Sequence, residues 1–216
     1  MKDDSTKLTP DLLLHAYQVG VFPMSEGRDD PEIFWVEPRQ RGIIPIGGFH
    51  ISRSLAKALR TQPPHVTYDT AFDEVVTGCA DRTETWINPT IRDAYRRLFD
   101  LGFAHSAEVW AGKDLIGGVY GVAIGSAFFG ESMFSRRTNG SKIALAYLMD
   151  RLALDGFTLF DTQFLTPHLA SLGGIEVPRG RYRSLLEQAI KTPAQFSASA
   201  PSQQPQDVIQ RSAQTS

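Results

Sequence analysis

The chain has 216 residues, of which 42% are hydrophobic, and a net charge of −2. This is enough apolar material for one sizeable core with a small appended lobe. A pI of about 6.2 excludes a general polycation, so nucleic acid would have to bind through a local patch. The single cysteine, Cys79, excludes an intramolecular disulfide and argues against a cysteine-based metal site. Without a signal peptide or an apolar run of about 18 residues, the sequence predicts a cytoplasmic protein that makes no use of a membrane.

The first half of the chain alternates helix and strand signals. Thr9 caps a helix that ends near Gly20, and Asn88 caps the strongest helix signal, which ends at Gly102. Between these helices the periodicity predicts, in order, a loop over 21–32, short strands over 33–38 and 41–46, a helix over 50–64, a strand over 65–70 and a helix over 71–82.

After residue 103 the pattern changes to period two. It predicts three antiparallel strands over 104–112, 114–125 and 126–135, with a tight turn at 112–114. The rest reads, in order, as a helix over 139–156, a strand over about 157–164, a helix over 167–174, a strand near 175–177 and a last helix from about Arg181. An antiparallel sheet that receives a further strand through a helical crossover is α+β. This order is found in the Gcn5-related N-acetyltransferase fold.

Three regions follow from this order. We expect a small N-terminal lobe over 1–40 and an acetyltransferase-like domain over 41–192, with a mostly antiparallel sheet flanked by helices. Residues 193–216 form a tail rich in Ser, Gln, Pro and Ala, with almost no large apolar residue after Phe196. Such a composition cannot bury enough surface to offset its ordering entropy, so we expect disorder there.

On the acetyltransferase analogy, the loop RRTNGSK lies where coenzyme A would be bound. The usual motif is R/Q-x-x-G-x-G/A, whereas Arg137, Gly140 and Lys142 form R-x-x-G-x-K. Lysine replaces the small residue that lets backbone amides approach the phosphates. The loop is therefore weak evidence for coenzyme A.

Polar residues interrupt two apolar strands. In GFTLFDTQF, Asp161 and Gln163 are two residues apart and so share a face of the strand. Glu131 is the acid in the otherwise apolar strand FFGESMFS. Three polar groups converging on an apolar cleft would orient a small polar substrate. The spacing leaves a second interpretation open, in which arginines such as Arg136 or Arg179 pair with the acids for structure.

Other chemistry-bearing patterns are sparse. No serine or cysteine lies in a nucleophile elbow, so direct attack by a substrate amine is the simpler mechanism. The five histidines lack a metal-ligand spacing, and we predict no metal.

Arg53, Lys57 and Arg60 form one stripe of a helix, which from spacing alone favours a solvated face over phosphate binding. Trp86, just before a helix, suits either a hydrophobic staple or a platform for a base.

Taken together, the motifs between Leu8 and Leu186 resemble the leucyl/phenylalanyl-tRNA–protein transferase family. The stretches that carry the resemblance, in order, are LLLHAYQVGVFPM, FHISRSL, TWI, HSAEVW, GGVYGVAIG, GESMFSR, DTQF and ASLGGIEVPR. It implies transfer of leucine or phenylalanine, and of methionine if the pocket tolerates it, from aminoacyl-tRNA to proteins with N-terminal Arg or Lys. This marks them for N-degron degradation. The acyl donor is then tRNA, and we expect a monomer without a cofactor.

The resemblance assigns roles to individual positions. Asp161 and Gln163 match the catalytic acid and amide, which position the acceptor amine and assist its deprotonation, and Glu131 matches a carboxylate beside the aminoacyl pocket. The positions matched to the lining of the apolar pocket are Phe128, Gly130 and Leu145. The positions matched to tRNA contacts are Trp86 at the terminal adenosine and the stripe Arg53, Lys57 and Arg60 at the acceptor region.

One position departs from the family pattern. Some members carry tryptophan after FP, where it stacks on the terminal adenine, and here the residue is Met24. Methionine offers polarizable contact without a ring face, so we expect weaker binding of the 3′ end of tRNA. The basic stripe is also thinner than it could be, with Ala56 and Thr61 at neighbouring positions, and we therefore expect weaker and more salt-sensitive tRNA binding. Two alternatives compete: an acetyl-coenzyme A-dependent N-acetyltransferase, argued from the fold alone, and a non-catalytic tRNA-binding module. The second leaves the pair Asp161 and Gln163 without a use.

Overall fold

The computed structural model describes residues 8–214, and this range contains eight helices and nine strands. The helices are α1 Pro10–Gln18, α2 Arg53–Thr61, α3 Phe72–Ala80, α4 Pro89–Asp100, α5 Gly140–Leu154, α6 Pro167–Ser171, α7 Arg179–Lys191 and α8 Pro205–Gln214. The strands are β1 Phe22–Met24, β2 Phe34–Val36, β3 Gln40–Ile44, β4 His65–Tyr68, β5 Ala104–Ala111, β6 Asp114–Ile124, β7 Ala127–Ser135, β8 Leu159–Gln163 and β9 Ile175–Pro178.

Seven of the strands form one mixed sheet in the order β4-β5-β6-β7-β8-β3-β9. All its pairings are antiparallel except that of β7 with β8, which α5 connects as a crossover. The two faces carry separate apolar clusters, as the neighbours Phe128 and Phe129 illustrate by belonging to different ones. Helices α1, α3, α4 and α7 cover one face, and α2, α5 and α8 the other. The α+β class predicted from the element order is confirmed.

Local capping signals placed the helix starts correctly. The Thr9 side chain accepts a hydrogen bond from the backbone of Leu12, and the Asn88 side chain accepts one from Ile91. Both helices have proline in the first turn, where its missing N–H has no intrahelical partner to lose. These two helices bring Tyr17 and Tyr95 to the same face of the sheet.

The N-terminal segment differs from the expectation in one element. Residues 22–24, predicted as part of a loop, form β1, which pairs with β2 as a separate two-stranded sheet. Three residues are too few to show a period, and the strand exists because Phe22 pairs with Val36. β3 then enters the large sheet between β8 and β9, so Gln40 begins a strand of that sheet.

The tail was predicted to be disordered, and the structure corrects this for residues 193–214. Phe196 packs against Tyr68, His105 and Phe128, and Val208 on α8 is 1% exposed. Polar groups complete the docking, because Gln203 accepts a hydrogen bond from Tyr68 and the Arg211 guanidinium pairs with Asp150. The composition of the segment did not predict its order, because only a few of its side chains are buried, on a surface formed by α5 and β5.

None of the helices in residues 8–214 is both long enough and apolar enough to span a bilayer.

Val208→Asp should destabilise the protein, because it places a charge in the buried contact between α8 and the body. We expect the free energy of unfolding to fall by about 2 kcal/mol, measured by urea denaturation. Gln206→Asp adds the same charge at an exposed position of α8 and should change it little. Equal effects of the two substitutions would contradict the docking of α8.

Candidate active site

A cavity of about 720 Å³ opens where β7 and β8 separate. The two strands pair only from Ala127 to Phe129 on β7, although β7 continues to Ser135. Beyond the last pair, residues of both strands line the opening, and α6 and the loop before α4 complete the wall. Of the site residues predicted from the sequence, those that line the cavity are Trp86, Gly130, Glu131, Leu145 and Gln163.

Gln163 ends β8 in an unusual backbone conformation. Its φ is +65°, in the left-handed region that residues other than glycine seldom adopt. The Asp161 carboxylate accepts a hydrogen bond from the Gln163 backbone N–H at 2.7 Å, which stabilises this turn of the chain. The side-chain amide of Gln163 donates to Glu131 Oε1 at 2.8 Å. The structure thus brings Asp161, Gln163 and Glu131 together in one connected network.

Asp161 itself lies behind the cavity wall. It is fully buried, and its carboxylate pairs with Arg41 on β3, with an Nη2–Oδ2 distance of 2.6 Å. The Tyr182 hydroxyl donates to the same oxygen at 2.6 Å. The sequence had suggested Arg136 or Arg179 as structural partners, but Arg136 binds the carbonyl of Leu115 and Arg179 pairs with Glu37. An arginine does pair with Asp161, and it comes from a different strand.

Glu131 sits at a bulge of β7 among neutral donors. Its carboxylate accepts hydrogen bonds from Tyr17, Tyr95 and Gln163 at 2.6–2.8 Å. Burial raises the pKa of Glu131 to about 7, although these three hydrogen bonds oppose the shift. Burial and the neighbouring carboxylate raise the pKa of Tyr17 and Tyr95 well above the ordinary value, so both hydroxyls stay protonated as donors. Glu131 is therefore a carboxylate that changes charge near neutral pH inside a cavity.

The contact with Glu131 fixes which way the Gln163 amide points. An ionised carboxylate only accepts hydrogen bonds, so the NH₂ group of Gln163 must face Glu131. The amide oxygen then faces away from Glu131 and is available as an acceptor at the cavity wall. The pair can hold an N–H donor in one place beside a group that can take up a proton.

The apolar part of the cavity is formed around Phe160. A Cβ on Gly130 would lie 2.8 Å from the tip of the Phe160 ring, so glycine keeps this part of the wall open. Phe128 does not line the cavity; it stacks behind Phe160 with ring centroids 5.7 Å apart. Leu145 on α5 adds a second apolar wall. The space suits a branched or aromatic hydrocarbon side chain.

The remaining candidates lie at and beyond the mouth of the cavity. The loop carrying Trp86 is tied to the N-terminal segment, because the Ser25 hydroxyl donates to the Trp86 carbonyl. Met24 does not line the cavity; it pairs with Phe34 in the two-stranded sheet of β1 and β2, and Phe34 is 43% exposed. The basic stripe of α2, consisting of Arg53, Lys57 and Arg60, is exposed and lies outside the cavity.

Four side chains of the network were missed from the sequence. Arg41 was visible as a lone cation at the start of an apolar strand, RGIIPI, and an isolated charge there needs a partner. Tyr17, Tyr95 and Tyr182 lie on the apolar stripes of their helices and read as ordinary core residues. Their hydroxyls act as hydrogen-bond donors to Glu131 and Asp161, which are distant in sequence, so no local pattern pointed to this role.

Comparison with known proteins agrees with the resemblance seen in the motifs. The leucyl/phenylalanyl-tRNA protein transferase family model matches residues 43–187, and the model of its N-terminal domain matches residues 6–39. Relatives of that name from Ruegeria pomeroyi and Cereibacter sphaeroides are 60% and 61% identical over 209 residues, which cover 97% of this chain and 99% and 98% of theirs. The chain belongs to the leucyl/phenylalanyl-tRNA–protein transferase family. Among solved structures, FemX aligns over 82% of this chain and 71% of its own, with 13% identity and a TM-score of 0.47.

Glu131 should make the stability of the protein depend on pH. Folding raises its pKa from 4.5 to about 7, so the folded state binds a proton more tightly than the unfolded state. This contribution to stability is complete below the unfolded value and is lost as the pH rises towards 7. In urea denaturation between pH 4.5 and 8, Glu131→Gln should flatten the fall in unfolding free energy. Glu176→Gln, at an exposed position, should follow the wild type, and an unchanged slope in Glu131→Gln would contradict the assignment.

Proposed function

We propose that this chain transfers leucine or phenylalanine from aminoacyl-tRNA to the α-amine of proteins that begin with arginine or lysine. Its products would then enter N-degron degradation. The relatives that match 97% of this chain carry the name of this activity. The observation that carries the proposal is the Gln163–Glu131 hydrogen bond at the wall of an apolar cavity, since it joins an acyl side-chain pocket to a group that can handle a proton.

The chemistry requires positioning more than activation, because an aminoacyl ester is already reactive. The acceptor nitrogen bonds to the ester carbonyl carbon, and the bond from that carbon to the ribose oxygen breaks. In our proposal, the Gln163 amide oxygen accepts an N–H of the attacking amine. Glu131 takes up the proton that the amine loses and returns one to the departing ribose oxygen. Holding the reactants in place can supply up to about 7–11 kcal/mol of the barrier reduction.

The pocket around Phe160 and Leu145 suits leucine and phenylalanine and would also accept methionine. Apolar pockets discriminate between similar hydrocarbon groups by only about 1–3 kcal/mol per methylene. Gly130 keeps the wall open, and Phe128 supports the ring of Phe160 from behind. We infer that Phe128 shapes the pocket through Phe160 and does not touch the substrate.

Transfer RNA is the donor that the surfaces outside the cavity support. Trp86 at the mouth offers a face for the terminal adenosine, and Met24 with its neighbour Phe34 lies in the two-stranded sheet beside that loop. The stripe of Arg53, Lys57 and Arg60 supplies three cations on one exposed helix face for phosphates. Because aminoacyl-tRNA is a cytoplasmic molecule, we place the reaction in the cytoplasm. We also expect the protein to be a monomer, as the family implies.

The fold also supports a relation to Gcn5-related acetyltransferases, with a different donor. In the acetyltransferase analogy, coenzyme A would bind the first amides of α5. Here the Ser141 N–H donates to Ser135 Oγ and the Gly140 N–H donates to the Arg137 carbonyl, so internal acceptors already use both groups. Lys142 also adds bulk at the motif position that is usually small. We therefore favour tRNA over coenzyme A.

The direct test is transfer of labelled leucine from Leu-tRNA to two peptides that differ only in an N-terminal Arg or Ala. The wild type should label the Arg peptide, and Gln163→Leu should lower kcat by about a hundredfold, because the amine loses its acceptor. Ser141→Ala, at another position of the cavity lining and outside the Gln163–Glu131 pair, serves as a control for general disturbance. Absence of label with the wild type would refute the proposal, and acetyl-coenzyme A would be the next donor to try.

The role of the α2 stripe is tested by salt. Replacing Arg53, Lys57 and Arg60 with alanine should weaken tRNA binding at low salt and reduce the slope of log affinity against log salt by about 2–3. A second triple variant at the exposed positions Arg92, Arg97 and Lys113 makes the same change in net charge elsewhere. Equal slopes in the two variants, measured by filter binding, would show that the stripe makes no specific phosphate contact.

A further inference from the structure

Arg41 is the most completely buried cation of the described chain and lies directly behind the candidate site. Its side chain is 1% exposed and that of its partner Asp161 is 0% exposed. The guanidinium lies between two aromatic rings, at 4.6 Å from the centroid of Phe22 and 4.5 Å from that of Tyr182. Its remaining NH₂ group donates to the Gly20 carbonyl at 2.9 Å. Every face of this cation is therefore in contact with a specific partner.

The partners of Asp161 leave it no place for a substrate. Oδ1 accepts from the Arg41 Nε–H and from the Gln163 backbone N–H, at 2.9 and 2.7 Å. Oδ2 accepts from Arg41 Nη2 and from the Tyr182 hydroxyl, both at 2.6 Å. The carboxylate does not line the cavity. It cannot accept a proton from the amine, so its influence on the reaction must pass through Gln163.

The backbone around Gln163 shows what that influence is. The left-handed φ of Gln163 is strained for a residue with a side chain, and such strain persists only where the surroundings enforce it. One restraint is the hydrogen bond from its N–H to Asp161. The other is β3, where Gly42 pairs with Gln163 and has no room for a Cβ, which would lie 2.6 Å from Thr162 Oγ1. Arg41 and Gly42 thus form adjacent supports for the end of β8.

We propose that Arg41 is a positioning residue for aminoacyl transfer: by clamping Asp161 it holds Gln163 in the left-handed conformation that directs its amide to Glu131 and the cavity. The clamp also links the chemistry to the N-terminal segment through Gly20 and Phe22. The inference rests on the proposed function only for its kinetic consequence. Its structural part, the dependence of the Gln163 conformation on Arg41, can be measured without any substrate.

The central comparison uses Arg41→Lys and the charge-neutral double variant Arg41→Met/Asp161→Asn. Lysine keeps the charge but cannot form the forked contact, and the double variant removes both buried charges together. We expect kcat for leucine transfer to fall about tenfold or more in each, with the KM for Leu-tRNA within about twofold of the wild type. Arg151→Met removes another buried arginine, remote from the cavity, and should leave kcat unchanged in the folded protein.

The second measurement is NMR of Gln163 labelled with carbon-13 and nitrogen-15. The wild type should show backbone shifts of a left-handed residue, which Arg41→Lys and the double variant should lose and Arg151→Met should keep. Tyr182→Phe removes one hydrogen bond to Asp161 without altering charge and serves if the Arg41 variants do not fold; we expect intermediate effects on both readouts.

The outcomes separate the two proposals. If the double variant is as stable as the wild type and keeps the wild-type kcat, the positioning role is overturned, because the ion pair would then serve only to neutralise two buried charges. Unchanged Gln163 shifts in the Arg41 variants, or in Tyr182→Phe if only that variant folds, would overturn it as well. A wild type with the left-handed Gln163 shifts but no transfer of leucine would refute the proposed function and leave the conformational clamp standing.

Discussion

The buried carboxylate of Asp161 is the constraint on which the arrangement of the site depends. A charge in the middle of an apolar sheet is costly unless it is paired and hydrogen-bonded. Arg41 from β3 and Tyr182 from α7 meet that requirement, and they are 120 and 21 residues away in sequence. Replacing such a pair by hydrocarbon side chains often costs little stability. What the pair provides is one required register between β3, β8 and α7, and that register sets the end of β8.

Two carboxylates a short distance apart have opposite electrostatic surroundings. Asp161 faces the Arg41 guanidinium, whereas Glu131 is surrounded by neutral donors and has a pKa of about 7. Gln163 connects them, since its backbone N–H binds one and its side chain binds the other. The amide cannot titrate, so it transmits geometry and not protons. The network therefore divides its tasks: a rigid ion pair fixes position, and an adjacent acid responds to pH.

How well the sequence predicts a feature depends on whether neighbouring residues or residues far apart in the chain determine it. The start of α4 is set by its cap Asn88 and by Pro89, and β5, β6 and β7 are set by the alternation of side chains along each strand. Because these signals lie within each element, the elements were predictable. The polar residues of β7 and β8 stood out against apolar neighbours. Arg41 did not reveal its partner, because no local pattern connects β3 with β8. The sequence did not predict the docked tail for the same reason, since the burial of Phe196 depends on a surface formed by β5 and α5.

The position of the cavity follows from the sheet itself. β7 and β8 are its one parallel pair, and they are paired over only three residues before they part. Backbone groups freed by that parting need other acceptors and donors. On β8 the Gln163 N–H donates to the Asp161 carboxylate. On β7 a separate bulge, in its pairing with β6, places Glu131 beside the tyrosines of α1 and α4. The separation of β7 from β8 therefore opens the space for a substrate, and the bulge brings the second polar group to its wall. A longer parallel pairing would close the cavity and remove the site, which is why β8 has to end at Gln163 in a conformation that cannot continue the strand.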